Sequence, residues 1–363
     1  MNVLKYTKPA KKWREALPLG NGITGIMIYG SLKKERLCFN DGTLWSGYPK
    51  DYNNPESLEN LQKVRDLIFN GHNNEADALC KSKLIGSYDE AFMPLGDVLI
   101  SFNGISKTGY KRSLDLSKAI HTVKSDSCIS EAFSSYPDKI SAYRIKSDKP
   151  FSATVKAKSK LNFETETDGN SLYLLSNAPD YAAPNYLRMK RHPIRYDEHK
   201  GMAFCLQTNV FTDGNAKYGK NYIKIKNATE VTLYFVTATG FNGFDKMPEA
   251  GRTAVKEKCR IAMKSVNKDF DTLKARHIED YSALYGNQSI SFKGCFAGHD
   301  HMNNFSVNYK GIRLTYGLSC DHNIYVVTFR GGTLINIKND GSFTTRLLIR
   351  HRGQSTVTVC KEK

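Results

Sequence analysis

Asp97-Val-Leu-Ile-Ser-Phe102, Tyr110-Lys-Arg-Ser-Leu-Asp-Leu116, Ala119-Ile-His-Thr-Val-Lys-Ser125, Ser130-Glu-Ala-Phe-Ser-Ser135 and Lys139-Ile-Ser-Ala-Tyr-Arg-Ile-Lys146 follow one another after Pro94. Apolar and polar side chains alternate in each, which is the period of a strand whose two faces meet different surroundings. Turn residues separate the segments every few positions. The rhythm continues through Phe151–Ser159, Ser171–Leu175, Met202–Asn209, Tyr222–Lys226 and Glu230–Thr237. So many short strands without intervening helices predict a mainly β, two-sheet antiparallel sandwich over residues 13 to about 245, not a βαβ sheet.

The flanks are mixed. Glycines at 20, 22, 25 and 30 divide the opening into short strands, Ile23–Tyr29 and Arg36–Phe39. Leu58, Leu61, Val64, Leu67 and Ile68 fall on one face of a helix over Glu56–Asn70 that Gly71 can stop. A second short helix starts near Asn74. After Gly251, Val255, Cys259, Ala262 and Val266 form one stripe, and Phe270, Leu273, Ile278, Tyr281 and Leu284 form another. The expected organisation is a sandwich over residues 1–249, a short helical linker over 250–292, and a small β-rich remnant over 293–363.

The length of 363 residues exceeds what one core usually serves. With 40% hydrophobic and 25% charged residues, disorder is excluded. The net charge of +17 is carried by dispersed lysines, so it reads as solvated surface, with neither nucleic acid nor membrane expected as partner. Eight cysteines without a CxxC pair are too dilute for a disulfide scaffold and read as buried small hydrophobes. The basic opening lacks an apolar core and cleavage site, so a cytoplasmic location is expected of the chain as it stands.

Seven segments, in order, resemble the amino-terminal domain of family 95 glycoside hydrolases, the α-L-fucosidase-like enzymes. They are Trp13-Arg-Glu-Ala-Leu-Pro-Leu-Gly-Asn-Gly22, Asn40-Asp-Gly-Thr-Leu-Trp-Ser-Gly47, Pro94-Leu-Gly-Asp97, Tyr110–Leu116, Phe133-Ser-Ser-Tyr-Pro-Asp138, Pro184-Asn-Tyr-Leu187 and Arg276-His-Ile-Glu-Asp-Tyr281. Gly42 departs from the pattern, which usually carries an acidic residue before the Thr. The resemblance implies a β super-sandwich, fucosylated or related glycans as partners, members that are often exported, and hydrolytic carboxylates on a following (α/α)6 barrel. The 78 residues after Tyr285 are too few for the dozen or so helices of a barrel, so no catalytic residue is carried over and no independent activity is expected. A non-catalytic carbohydrate-binding module is the rival reading of the same domain.

Gly294-Cys-Phe-Ala-Gly-His-Asp-His301, with Arg330–Ile337 and Gly341–Thr345, resembles the closing segment of calcineurin-like metallophosphoesterases. That resemblance covers about 293–352 and implies a strand ending at a turn whose His299 and His301 ligate metal. The remaining ligands of such a centre are missing. The pair is therefore expected to be orphaned, with weak divalent-metal binding at most and no cofactor for the sandwich. The text reads as the front of one enzyme joined near residue 292 to the end of another.

Few residues are candidates for function. Trp45 and Asn40 sit beside a turn, where an exposed Trp can stack on a sugar or dock a neighbouring domain; the residue type alone favours a buried core Trp with its N–H satisfied. Asp180, Tyr181 and His192 lie in a long loop over 178–199, a feature that often serves a site. His277 and Asp280 read as a surface ion pair, and His322 as a surface side chain.

Overall fold

In the computed structural model, all residues are described except 1, 185–192, 198, 265, 267–268, 287–293, 299–304, 310, 318–328, 341, 352–356 and 361–363. The chain divides into two compact units, Met1–Pro55 with Ile85–Tyr285, and Glu56–Leu84 with Gly286–Lys363. The first begins with β1 (Val3–Tyr6), β2 (Leu17–Gly20), β3 (Thr24–Ile28) and β4 (Lys34–Asp41). In the chain, α1 (Ser57–Phe69) and α2 (Asn73–Leu79) come next and belong to the second unit. The first unit resumes with β5 (Gly96–Asn103), β6 (Lys111–Asp115), β7 (Ile120–Lys124), β8 (Cys128–Ser135), β9 (Ile140–Lys158), β10 (Phe163–Asp168) and β11 (Ser171–Asn177). It closes with β12 (Tyr181–Ala182), β13 (Ile194–Arg195), β14 (Ala203–Thr212), β15 (Asn215–Gly219), β16 (Tyr222–Thr239), α3 (Arg252–Lys264) and α4 (Phe270–Gly286).

Fourteen of the described strands form one curled antiparallel sheet. One layer runs β1-β6-β7-β8-β9-β16-β14-β11-β10, and the other runs β2-β3-β4-β5-β9 with β15 on β16. Both layers contain β9 and β16. The first half of β9 pairs with β8 and with Glu230–Phe235 of β16. Its second half pairs with β5 and with Ile223–Ile225. Between them the register shifts twice, around Ala228, and Asn227 takes φ 53°. The segments expected as separate strands, 139–146 with 151–159 and 222–226 with 230–237, are therefore two long strands bent by bulges. Asn227-Ala-Thr supplies the bulge residue that a turn would also demand, so composition reads the bend as a break.

The faces explain the burial. Leu172, Leu174, Phe204, Leu206, Leu233 and Phe235 join Leu37, Phe39, Val98 and Ile100 in one core between the layers. The alternate residues, Tyr173, Leu175, Ala203, Cys205, Tyr234 and Val236, form a second core with Val255, Cys259 and Met263 of α3 and Phe270 and Leu273 of α4. A sheet buried on both faces reads as a continuous apolar run. The segment 250–292 therefore does not lead away from the sandwich; its helices cover one face of it. Arg144 grips Asp271 with two bonds of 2.8 and 2.7 Å and lies 3.9 Å over the Phe270 ring. His277 also differs from the expected surface residue. It is only 2% exposed, donates through Nε2 to Lys118 O at 2.9 Å, and stacks on Phe133. Burial holds its pKa below the ordinary value, so it is a neutral core imidazole and not half of a surface ion pair.

The inner core has a polar island. Arg112, His121, Ser130 and Tyr143 line one face of β6–β9 in neighbouring register positions, and Glu35 is buried on β4. Glu35 Oε1 accepts from the N–H groups of Gly30 and Arg36, each at 2.9 Å. Its Oε2, Arg112 Nε, both His121 nitrogens, Ser130 Oγ and Tyr143 OH have no partner among the described residues. Burial pushes Glu35 up to about 7, against nearby backbone N–H groups and the Arg112 charge. Burial, then the Arg112 charge, drives His121 down to about 3.

In the second unit, α1 and α2 form a helical pair in which Lys83 pairs with Glu56. The tail has β17 (Gly294–Ala297), β18 (Phe305–Tyr309), β19 (Ile312–Tyr316), β20 (Phe329–Ile337), β21 (Phe343–His351) and β22 (Val357–Cys360). They form two small sheets, β17-β19-β18 and β20-β21-β22, with β17 and β19 parallel. Leu334 and Ile337 are exposed.

Two outcomes follow. Leu273→Ala, in the second core, should cost about 2–5 kcal/mol in urea unfolding, against about 0.5 kcal/mol or less for Leu284→Ala, which is 70% exposed; equal losses would show that α4 is not laid on the sheet. For Glu35, whose folded pKa is raised, the protonated form favours folding, so its contribution is lost as pH rises from about 4.5 to about 7. His121 acts oppositely, adding stability between about 3 and 6.5. The stability of Glu35→Gln relative to the parent should therefore climb by on the order of 3 kcal/mol between pH 4.5 and 7 and level off outside that window. A difference that does not change with pH would refute the buried neutral carboxyl.

Candidate functional site

The motif loops meet at the end of the sandwich where β4, β11 and β16 finish. Asn21 Oδ1 caps its own turn, accepting from the N–H of Ile23 at 3.1 Å and of Thr24 at 2.8 Å, and its amide donates to Ser135 O at 3.2 Å. Asp41 accepts from Thr43 Oγ1 and from Thr237 Oγ1, both at 2.7 Å. Thr43 also bonds Thr239 at 2.6 Å, and Thr24 bonds Thr237 at 2.7 Å. Asp138 accepts from Ser135 and pairs with Arg276 at 3.2 Å. These acids are tied into turns, so the matched motifs chiefly build the rim.

On this rim Trp45 is 44% exposed, which overturns the expectation of a core tryptophan; its N–H is still satisfied, by Gly42 O at 3.2 Å. Its ring meets Phe92 edge to face at 5.4 Å, and Phe92 is 45% exposed. The Asn40 amide is 3.5 Å from Met93 O, the outer limit of a hydrogen bond. A Cβ at Gly42 would meet only Ile23 O, at 3.7 Å, so the position has room for the side chain the family pattern carries there.

Glu90 bonds the residue that follows Trp45. It accepts from Ser46 Oγ at 2.6 Å and Tyr52 OH at 2.7 Å and pairs with Lys50 at 2.6 Å. Burial alone would raise its pKa, but the bonds from Lys50, Ser46 and Tyr52 bring it below the usual carboxylate value. Gly47 sits at φ 77° with a Cβ position that the Glu90 carboxyl occupies, so only glycine fits. Lys50 and Lys200 lie 5.3 and 5.4 Å over the Tyr48 ring, and Lys200 continues to Asp197 at 3.4 Å.

Asp197 belongs to a cavity of about 470 Å³ lined by Asn162, Asn177, Tyr196, Asp197, His199 and Arg252. Asn177 fixes its wall, donating to Gly201 O at 3.0 Å and Ala250 O at 2.8 Å and accepting from Arg252 Nε at 2.7 Å. Arg252 also pairs with Glu164 at 2.9 Å. The His199 N–H, chiefly, lowers the pKa of Asp197. A further cavity of about 490 Å³, lined in part by Asp126, Asp148 and Glu230, is crossed by the Lys146–Glu230 pair at 3.0 Å.

The long loop meets the cavity through Tyr196, Asp197 and His199 and not through the residues singled out in it. Asp180 pairs with Arg195 at 3.9 Å, and Arg195 lies 4.7 Å over Tyr181, while Tyr196, Asp197 and His199 reach the cavity. No motif marks these three or Glu90, whose only sequence signal is proximity to Pro94-Leu-Gly-Asp97. His192, His299, His301 and His322 lie outside the described residues. Among those described, no group of three or more His, Cys, Asp or Glu could hold a metal ion. No helix there is long and apolar enough to cross a membrane. Cys38, Cys128, Cys205 and Cys259 are buried, whereas Cys295 is exposed.

Residues 4–243 match the family described as glycosyl hydrolase family 65, N-terminal domain. Alpha-L-fucosidase 2 of Arabidopsis thaliana is 29% identical over 310 residues, covering 80% of this chain and 36% of its own length. An Aspergillus oryzae protein described as a probable alpha-fucosidase A is 28% identical over 304 residues, covering 77% of this chain and 40% of its own. The chain thus spans well under half the length of these relatives. A solved structure from the human microbiome, provisionally named a kojibiose phosphorylase, overlaps at 13% identity with a TM-score of 0.36, covering 74% of this chain and 32% of that one.

Glu90→Gln removes the charge that Lys50 pairs with and one acceptor of the Ser46–Tyr52 network. It should lower stability by about 1–3 kcal/mol, more than Trp45→Ala on the exposed rim, at about 0.5–1.5 kcal/mol. Thermal unfolding measures both; the reverse ranking would mean that Trp45, not Glu90, organises the rim.

Proposed function

Since the chain belongs to the family of glycosyl hydrolase family 65 N-terminal domains, we propose that it is the β-sandwich portion of a fucosidase-like glycoside hydrolase, resembling family 95, and that it supports the carbohydrate chemistry of a longer enzyme without carrying the hydrolytic residues itself. One observation carries this: two fucosidase relatives align with about four-fifths of this chain but with only 36% and 40% of their own length. The site chemistry supports the same reading. A glycosidase needs two carboxyl groups flanking the bond, with the acid's pKa raised. Asp41, Glu90 and Asp138 are held by hydroxyls and cations, and Asp197 is the one carboxylate among the described residues of its cavity. Glu35 does have a raised pKa but is sealed inside the core. Trp45 and Phe92 form an exposed aromatic edge suited to docking the remainder of such an enzyme or to stacking on a sugar.

The phosphoesterase-like reading of 293–352 has one favouring feature: β17 is a parallel-paired strand that stops at Ala297, directly before Gly298-His299. On this reading His299 and His301 take up divalent metal weakly.

The chain alone should leave 4-nitrophenyl α-L-fucoside intact. A chimera in which residues 4–285 replace the matching stretch of the Arabidopsis relative should keep fucosidase turnover within about tenfold of the parent. Turnover by the isolated chain that vanishes with Asp197→Asn, or a folded but inactive chimera, would defeat the proposal.

A further inference from the structure

We propose that the cavity between Asn162, Asn177, Tyr196, Asp197, His199 and Arg252 binds one neutral pyranose unit of a glycan. The inference rests on the carbohydrate-enzyme reading above, and it deepens that reading by assigning the sandwich its own sugar site.

The volume, about 470 Å³, falls in the lower part of the range of small-ligand pockets, ~300–1,000 Å³. The lining chooses the ligand class. Its fixed charges are matched locally: Arg252 is paired with Glu164 at 2.9 Å, and Asp197 with Lys200 at 3.4 Å. Among the described lining residues, neither Arg252 nor Asp197 is left without an opposite charge to draw a phosphate, a uronate or a metal cation. Neutral capacity remains instead. The Asn162 side-chain amide and the Tyr196 hydroxyl have no partner among the described residues, and the amide can both donate and accept. Vicinal ring hydroxyls ask for that mixture. Tyr196 is 41% exposed, so its ring is open to stack on the apolar face of a sugar ring.

The site is also pre-organised. The three bonds of Asn177 lock the wall that carries Arg252 to the chain at Gly201 and Ala250. Asp197 is held in a turn, accepting from the His199 N–H at 2.9 Å and receiving the Gly201 N–H on its carbonyl at 3.0 Å. On that side a ligand meets a wall already set in place, which lowers the ordering cost of binding.

The test is ligand-observed NMR titration of the full chain with methyl α-L-fucopyranoside, methyl β-D-glucopyranoside, glucuronate and inorganic phosphate. It is repeated with Tyr196→Ala, Asn162→Leu and, as a control on the rim outside the cavity, Phe92→Ala. Both cavity side chains are exposed, so folding is retained, and unfolding midpoints verify it. The expected result is saturable millimolar binding of at least one neutral glycoside, weakened about tenfold or more by either cavity variant and unchanged by Phe92→Ala. No saturation by either glycoside, equal binding in the cavity variants, or tighter binding of glucuronate or phosphate would each overturn it. The chimera's turnover is read separately, so a sugar-free cavity beside an active chimera sinks this inference alone, and an inactive chimera beside a sugar-binding cavity sinks only the proposed function.

Discussion

The architecture depends on two strands that serve two layers. β9 and β16 pair with each other along most of their length and carry that pairing through the bulges around Ala228. A bulge adds twist and bends the ladder without ending it. The hydrogen bonds of both layers therefore run through one pair of strands, and the angle between the layers is set by backbone geometry before any side chain packs. The core between them is the consequence: Val155 and Ile225 belong to it on one side of the bend, and Ile145 and Leu233 on the other.

The same strands place the rim. β16 ends at Thr237 and Thr239, whose hydroxyls bond Thr24 at the start of β3, Asp41 at the end of β4 and Thr43 just beyond it. β14 and β11 carry the register onward to Asn177, which holds Arg252 at the start of α3. Loops distant in sequence thus meet at one end because they sit on one ladder. The acids there close turns, while in the cavity beside them the Asn162 side-chain amide and the Tyr196 hydroxyl have no partner among the described residues.

The helices of residues 252–286 show how double-sided burial shapes the sandwich. Tyr173, Cys205 and Tyr234 would present an apolar outer face if left bare, and α3 and α4 cover it. The Arg144–Asp271 pair and the buried His277 fix those helices in place. Inside, the Glu35 island goes the other way, putting polar groups between two apolar layers.

Sequence alone determined the class of fold, since period-two alternation has one physical meaning, and it located α1, α2, α3 and α4 from the 3.6-residue stripes. The ordered motifs also led to the glycoside hydrolase relationship. Tertiary structure decided the rest. Composition treats Asn227-Ala-Thr as a turn, because bulge and turn demand the same residues, so only the pairing of Glu230 with Lys146 shows the strand continuing. The stripe of Val255 and Cys259 says that a helix is covered, not by what, and so the helices read as a linker. Trp45 is exposed and His277 buried because burial depends on which surfaces arrive from elsewhere in the chain, a quantity no local pattern encodes. Asn162, Asn177, Tyr196 and Arg252 become neighbours only once β10, β11 and the start of α3 are laid side by side, so their shared cavity is a property of the fold and of no segment within it.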